Sequence, residues 1–152
     1  MRQRGVLFLI GVALLGVSVG EVKGAEKQSI PPNVTVEVEG KAGRENVPVV
    51  PGSSCWRQRD GQTSCDDTFG PFELIKNQTP VVTPPESRVI IIFERTPLTM
   101  SASKWINGRP VKQEITKDNT FVLPPDKGVY IYDVFATWKE GDASYAFVIE
   151  VR

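Results

Sequence analysis

The sequence predicts an all-β fold, an antiparallel sandwich preceded by a disulfide-stapled β-hairpin. Three observations carry that expectation. No long segment repeats its apolar residues at the helical period, while "GVYIYDVFATW" and "ASYAFVIEV" read as two long strands joined by "KEGD". Asn107-Gly108, the strongest short hairpin signal, interrupts another pair of extended runs. The only two cysteines, Cys55 and Cys65, bracket an Asp60-Gly61 turn.

The N-terminus is set apart from the fold. Arg2 and Arg4 precede the uninterrupted apolar run Val6 to Val19, the pattern of a secretory signal. Fourteen helical residues reach about 21 Å, short of the roughly 30 Å hydrocarbon core, which disfavours a membrane anchor. Small residues place cleavage after Gly20, with Ala25 as the later alternative, so residues 1–20 are the expected signal peptide. The chain is therefore expected to be secreted or extracytoplasmic, with cell-wall association open and no integral membrane segment once the signal is gone.

Residues 26–46 form a polar lead-in followed by a strand, in which Val34, Val36 and Val38 alternate with polar positions. "KAGREN" reads as a turn-rich interruption. Residues 47–87 hold the cysteine hairpin and an irregular segment. "VPVVPGSS" is extended but too proline-rich for a central strand, and "PFELIK" suits one short helical turn. Residues 88–152 are the expected sandwich body. "RVIIIF" reads as a strand buried on both faces, and "LTMSASKWI" alternates Leu98, Met100 and Ala102 against Thr99, Ser101 and Ser103. "NTFVLPP" is a short strand. In the terminal hairpin Tyr130, Tyr132, Val134, Ala136 and Trp138 share one face with Tyr145, Phe147, Ile149 and Val151 of the next strand. Val129, Ile131 and Phe135 point the other way, so a second layer, drawn from residues 33–87, is expected to cover them.

The stretch "CWRQRDGQTSC" fixes its own register. With Cys55 opposite Cys65, the loop is Arg59-Asp60-Gly61, and Gly61 falls where a three-residue loop wants a left-handed residue. An exported chain allows that disulfide. Two readings of the stretch stand side by side. One is a staple and nothing more. The other is a rigid binding surface presenting Trp56, Arg57 and Arg59 to a partner, since aromatic and arginine anchors dominate interfaces.

"DKGVYIY" (126–132) resembles the corner segment of immunoglobulin-like domains. The resemblance implies an immunoglobulin-like or fibronectin-like sandwich, with Tyr130 as corner tyrosine, its hydroxyl bonded to upstream backbone, and Trp105 as the buried strand-C tryptophan. Tyr132 stands where the second core cysteine of that pattern would be. Trp105, Tyr130 and Tyr132 are thus the candidate structural core. A wider resemblance covers 47–152. "VPVVPGSSCW", "CDDTFGPFEL" and "KGVYIYDVFATWKEGDASYAFVIEV" together resemble a family of small, uncharacterised exported proteins of spore-forming Gram-positive bacteria. It implies a cell-envelope setting and no particular chemistry. In that setting the glycosylation patterns at Asn33 and Asn77 carry no meaning.

Composition narrows the activities. Removing Arg2, Arg4 and Lys23 from the 18 basic residues, and Glu21 from the 18 acidic ones, leaves a charge of −2. That gives no electrostatic drive toward nucleic acid. The chain has no histidine, which removes His-dependent triads and the commonest metal ligand. Asp66, Asp67 and Glu73 are the one acidic group beside aromatics. Adjacent residues on an extended segment face opposite ways, so they suit turn hydrogen bonds better than a catalytic pair. The reading is a non-catalytic binding domain with no cofactor, no metal and no catalytic residue. Its expected partner is an unknown protein at the envelope. The alternatives are a cell-wall polysaccharide held by Trp56, Phe69 and neighbouring aromatics, and, third, a protease held through Arg57 or Arg59.

Overall fold

A computed structural model describes residues 29–40 and 43–152; the expected signal peptide, residues 1–20, lies outside them. Alternation of small β-branched and polar residues gives two facing sheets. The smaller contains β1 (Val34–Gly40), β2 (Gly43–Val47), β6 (Arg88–Phe93) and β9 (Thr120–Val122), ordered β2-β1-β6-β9. The larger contains β3 (Val49–Arg57), β4 (Thr63–Asp66), β7 (Thr99–Ile106), β8 (Arg109–Gln113), β10 (Gly128–Thr137) and β11 (Gly141–Val151), ordered β4-β3-β11-β10-β7-β8. β5 (Val81–Thr83) joins the larger sheet in parallel with the end of β11. The helix α1 (Pro71–Ile75) is the single turn expected at "PFELIK".

Between the sheets, Val36, Val38, Val89 and Ile91 meet Tyr132, Val134, Phe147 and Ile149, all essentially without solvent contact. The face assignment of the terminal hairpin holds along its whole length. Tyr132 and Phe147 stack with ring centres 5.4 Å apart, and burial pushes the Tyr132 hydroxyl pKa far above its usual range. That hydroxyl has no partner among the described residues.

The turns are those the residue types demand. Asn107 and Gly108 both have positive φ between Ile106 and Arg109, which pair. Cys55 lies directly opposite Cys65, and they form a disulfide. Gln58 N–H donates to the Gln62 carbonyl at 2.7 Å, and Gly61 has φ +85°. The loop is therefore Arg59-Asp60-Gly61, with the Asp60 carboxylate accepting from the Gln62 N–H.

Four expectations change. The hairpin does not precede the sandwich as a separate feature. β3 pairs antiparallel with β11 over Gly141–Phe147, so strands on both sides of residue 88 build both sheets. Gly141 is needed at this junction, because a Cβ there would sit 1.9 Å from the Cys55 carbonyl oxygen. Residues 43–47 of the expected interruption form β2, held to β1 by the Val36–Val47 register and by Arg44 bonded to Glu37 and Glu39. β6 is buried on one face only: Val89 and Ile91 face the core, while Ile92 is exposed. Pro51, by contrast, behaves as expected. β4 pairs only with Ser54–Arg57, so β3 is locally an edge at Pro51, beside a register shift against β11.

Trp105 is the fourth. Its register opposite Ile131 turns it to the outer face of the larger sheet, where it is half-buried. The inner positions of β7 are Met100, Ala102 and Lys104, and Tyr132 with Phe147 supplies the bulk that a strand-C tryptophan would have given. Tyr130 donates from its hydroxyl to the Asp126 carbonyl at 2.9 Å, the corner bond expected of it, with its ring against the core edge.

Candidate functional site: a cleft on the outer face of the larger sheet

The expected anchor of the hairpin surface is not on the surface. Trp56 is 2% exposed. Its ring packs edge-on to Trp138 at 5.6 Å, and the Arg95 guanidinium lies 5.4 Å from its ring centre. Its indole N–H donates to Ser29 Oγ at 3.0 Å. Alternation along β3 puts Trp56 on the inner side, where Ala136, Ala143 and Tyr145 enclose it. Trp56 and the arginines, expected on one binding surface, therefore part company, because exposure depended on β11 pairing with β3, which no local signal announces. Arg57 and Arg59 are exposed, without an ion pair among the described residues.

The same neighbourhood straps down the lead-in. Gln58 accepts from the Ser29 N–H and donates to the Ser29 carbonyl, both at 3.1 Å. The Tyr145 hydroxyl donates to the Pro32 carbonyl at 2.6 Å, and burial raises its pKa to about 12. These groups are occupied within the molecule.

A different arrangement forms on the opposite side of β11. Immediately after Cys65, the chain crosses the outer face of the larger sheet. Thr68 is fixed there by its N–H donating to Ser53 Oγ at 2.9 Å. Pro71 starts α1, whose Leu74 and Ile75 pack on Val50, Ile131, Ala146 and Val148. So residues 68–75 do cover Ile131, as expected, but leave Phe135 42% and Val129 58% exposed. Gly52 allows the close approach: a Cβ there would lie 2.3 Å from Ser144 Oγ and 3.4 Å from Leu74.

Between this covering segment and the sheet lies a cleft of about 200 Å³. Ser53, Ser144 and Ala146 form part of its floor, Thr68 to Pro71 and Leu74 line one side, and Trp105 and Asp133 stand at the other. Phe69, 78% exposed, overhangs it. Phe72 meets the Trp105 ring edge-on at 5.7 Å. Among the described residues, Asp133 is the only charged one lining the cleft. One carboxylate oxygen accepts the Trp105 indole N–H. Burial pushes its pKa upward, and the bonds from Trp105 and its own backbone amide only partly oppose that. No cationic side chain pairs with it among the described residues.

The floor hydroxyls are largely engaged. Ser144 donates to the Ser53 carbonyl, Ser53 and Thr68 hydroxyls lie 3.3 Å apart, and Thr68 donates to the Phe69 carbonyl. Asp66 and Asp67 are exposed, and Glu73 pairs with Lys76 at 2.7 Å. The expected acidic group therefore does not converge. Trp105, Asp133 and Phe72 are the functional candidates that sequence reasoning missed. "YDVF" carries the one polar residue on an otherwise apolar stretch of β10, and that was the available signal.

No protein-family model, no curated protein and no solved structure matches the chain. Among the described residues no helix is long and apolar enough to cross a membrane.

Proposed function

We propose that the protein is a non-catalytic binding domain exported to a bacterial envelope, where it docks a protein partner on the outer face of its larger sheet. The observation that carries this reading is Phe69, 78% exposed beside a cleft already walled by Trp105 and the Asp133 carboxylate. Large exposed aromatics around a preformed depression are what interface anchors look like before the partner arrives. The cleft is below the ~300–1,000 Å³ typical of sites for whole small molecules, which suits one inserted side chain better than a cofactor or substrate. The formed Cys55–Cys65 disulfide favours an oxidising compartment. The engagement of Ser53, Thr68 and Ser144 within the molecule weighs against the polysaccharide alternative, which needs free hydroxyl partners.

A photo-crosslinking side chain placed at Phe69, compared with one at Ile92 on the smaller sheet, tests this on the exporting cells. The expected result is one discrete protein adduct from position 69 and none from 92. An adduct from 69 that glycan digestion removes would replace the partner by polysaccharide. Equal adducts from both positions, or none, would overturn the docking surface.

A further inference from the structure

The charge of the cleft specifies what enters it. Asp133 is its sole charged group among the described residues, set among Trp105, Phe69, hydroxyls and backbone. A half-buried carboxylate of this kind is costly to leave without a counter-ion, because desolvation is only partly repaid by the Trp105 indole N–H and its own backbone amide. Its second oxygen receives no side-chain hydrogen bond among the described residues. Aromatic walls favour a cation over an anion or a neutral polar group, since the negative ring faces attract positive charge. The volume, about 200 Å³, admits one side chain. From these observations we infer that the cleft receives a single cationic side chain, a lysine ammonium or an arginine guanidinium, presented by the protein partner, with Asp133 as counter-ion and Trp105 and Phe69 as walls. The inference rests on the docking surface proposed above and names its ligand chemistry.

The upward pKa of the free carboxyl agrees with this, as an arriving cation would lower it again. The division of labour is also physical. Trp105 holds the carboxylate's orientation, the Ser53–Thr68 contact holds Phe69 over the cleft, and the disulfide anchors the segment that carries both Thr68 and Phe69. The stapled hairpin then serves the site indirectly, as the fixed start of its overhang.

The test is a ¹⁵N–¹H NMR titration of the labelled protein with Nα-acetylarginine amide, Nα-acetyllysine amide, the neutral isostere Nα-acetylcitrulline amide, and N-acetylglucosamine. The expected result is saturable shifts of the Trp105 indole N–H and the Phe69 and Gly70 amides with one or both cations. Citrulline should bind at least about tenfold more weakly, and Asp133→Asn should bring the cation down to the citrulline level. Asn still accepts from Trp105, and retained dispersion of the spectrum reports that the variant is folded. Independently of any variant, added sodium chloride should weaken the arginine ligand and leave citrulline unchanged. Equal affinity for arginine and citrulline, or salt-insensitive arginine binding, would overturn the cation while leaving the docking surface to its own crosslinking result. Shifts at the same resonances by N-acetylglucosamine alone would also overturn it. So would the absence of any shift with every probe, and in that case a persistent position-69 adduct would keep the surface without the cation.

Discussion

The two sheets solve the same problem, an outward face, in opposite ways. On the smaller sheet, Glu37 and Glu39 of β1 lie between Arg44 of β2 and Arg88 of β6, and every one of these charges has a partner on a neighbouring strand. Hydrogen bonding from Arg88 and Arg44 holds the Glu39 carboxyl below its usual range, against a smaller opposing effect of burial. On the larger sheet, Asp133 has no cationic partner among the described residues, shares its cleft with Trp105, Phe69 and Tyr145, and has its carboxyl pushed upward by burial. A paired ladder in water is self-sufficient and contributes modestly to stability. A lone carboxylate in a cleft is an unfinished arrangement. On the proposed reading, the difference separates a surface that faces solvent from one that a partner covers.

The largest effect should come from the staple. Replacing Cys55 and Cys65 by serine frees an eleven-residue loop and should lower stability by ~2–3 kcal/mol in the chain-entropy model. Urea unfolding with an unchanged slope would measure it. The sharper reading is regional. Hydrogen exchange should quicken in residues 63–76, which Cys65 leads into and which cover the larger sheet, and stay slow in β1 and β6. Uniform quickening across both sheets would erase the proposed link between disulfide and cleft.

Next in size is the Trp105–Asp133 bond. Trp105→Phe keeps an aromatic beside Phe72 but removes the only side-chain donor to the carboxylate among the described residues. A loss of ~1–2 kcal/mol is expected, in the range for hydrogen bonds to charged groups at a partly exposed site. Adding Asp133→Asn should recover part of it, because an amide tolerates the missing donor better than a charge does. The recovery should exceed what Asp133→Asn does alone; strictly additive effects of the two single variants in urea titrations would mean the two residues act independently, and the cleft would lose its internal support.

Much of this was legible in advance where local chemistry decides. Asp60-Gly61 and Asn107-Gly108 dictated their turns, the cysteine register followed from the first, and the period-2 pattern of 128–151 assigned the inward residues of β10 and β11 apart from Ala143. The illegible parts depended on which strand lies next to which. Trp56 is buried because β11 runs beside β3, and Trp105 is outward because β7 pairs with β10 in one register and not the next. Neither pairing has a short-range signature. The cleft needed still more: the 68–75 segment had to fold back over the sheet, which Gly52 permits and Ser53 secures. An isolated aspartate on an apolar strand hints at such a place only when its cover is known.

The smallest effect is also the most direct comparison of the two faces, since their carboxyls shift in opposite directions. Asp133 has a folded-state pKa above the ordinary 3.8. Between that value and the raised one the folded state binds more protons than the unfolded state, so stability falls as pH rises through the window, and the penalty is complete above it. Asp133→Asn should therefore raise the thermal midpoint slightly at neutral pH, and the gain should vanish below the ordinary carboxylate pKa. Glu39 has a folded-state pKa below 4.5, and its contribution is present above that value and lost as pH falls through the lowered one. Glu39→Gln should accordingly lower the midpoint slightly at neutral pH and match the parent in acid. Midpoints of parent and both variants from pH 3 to 8 would test the pair. Opposite signs at neutral pH, converging in acid, would mean that Asp133 is retained against stability while Glu39 is retained for it. A destabilising Asp133→Asn would instead make the carboxylate a structural partner of Trp105, and the cleft a packed seam with nothing left to bind.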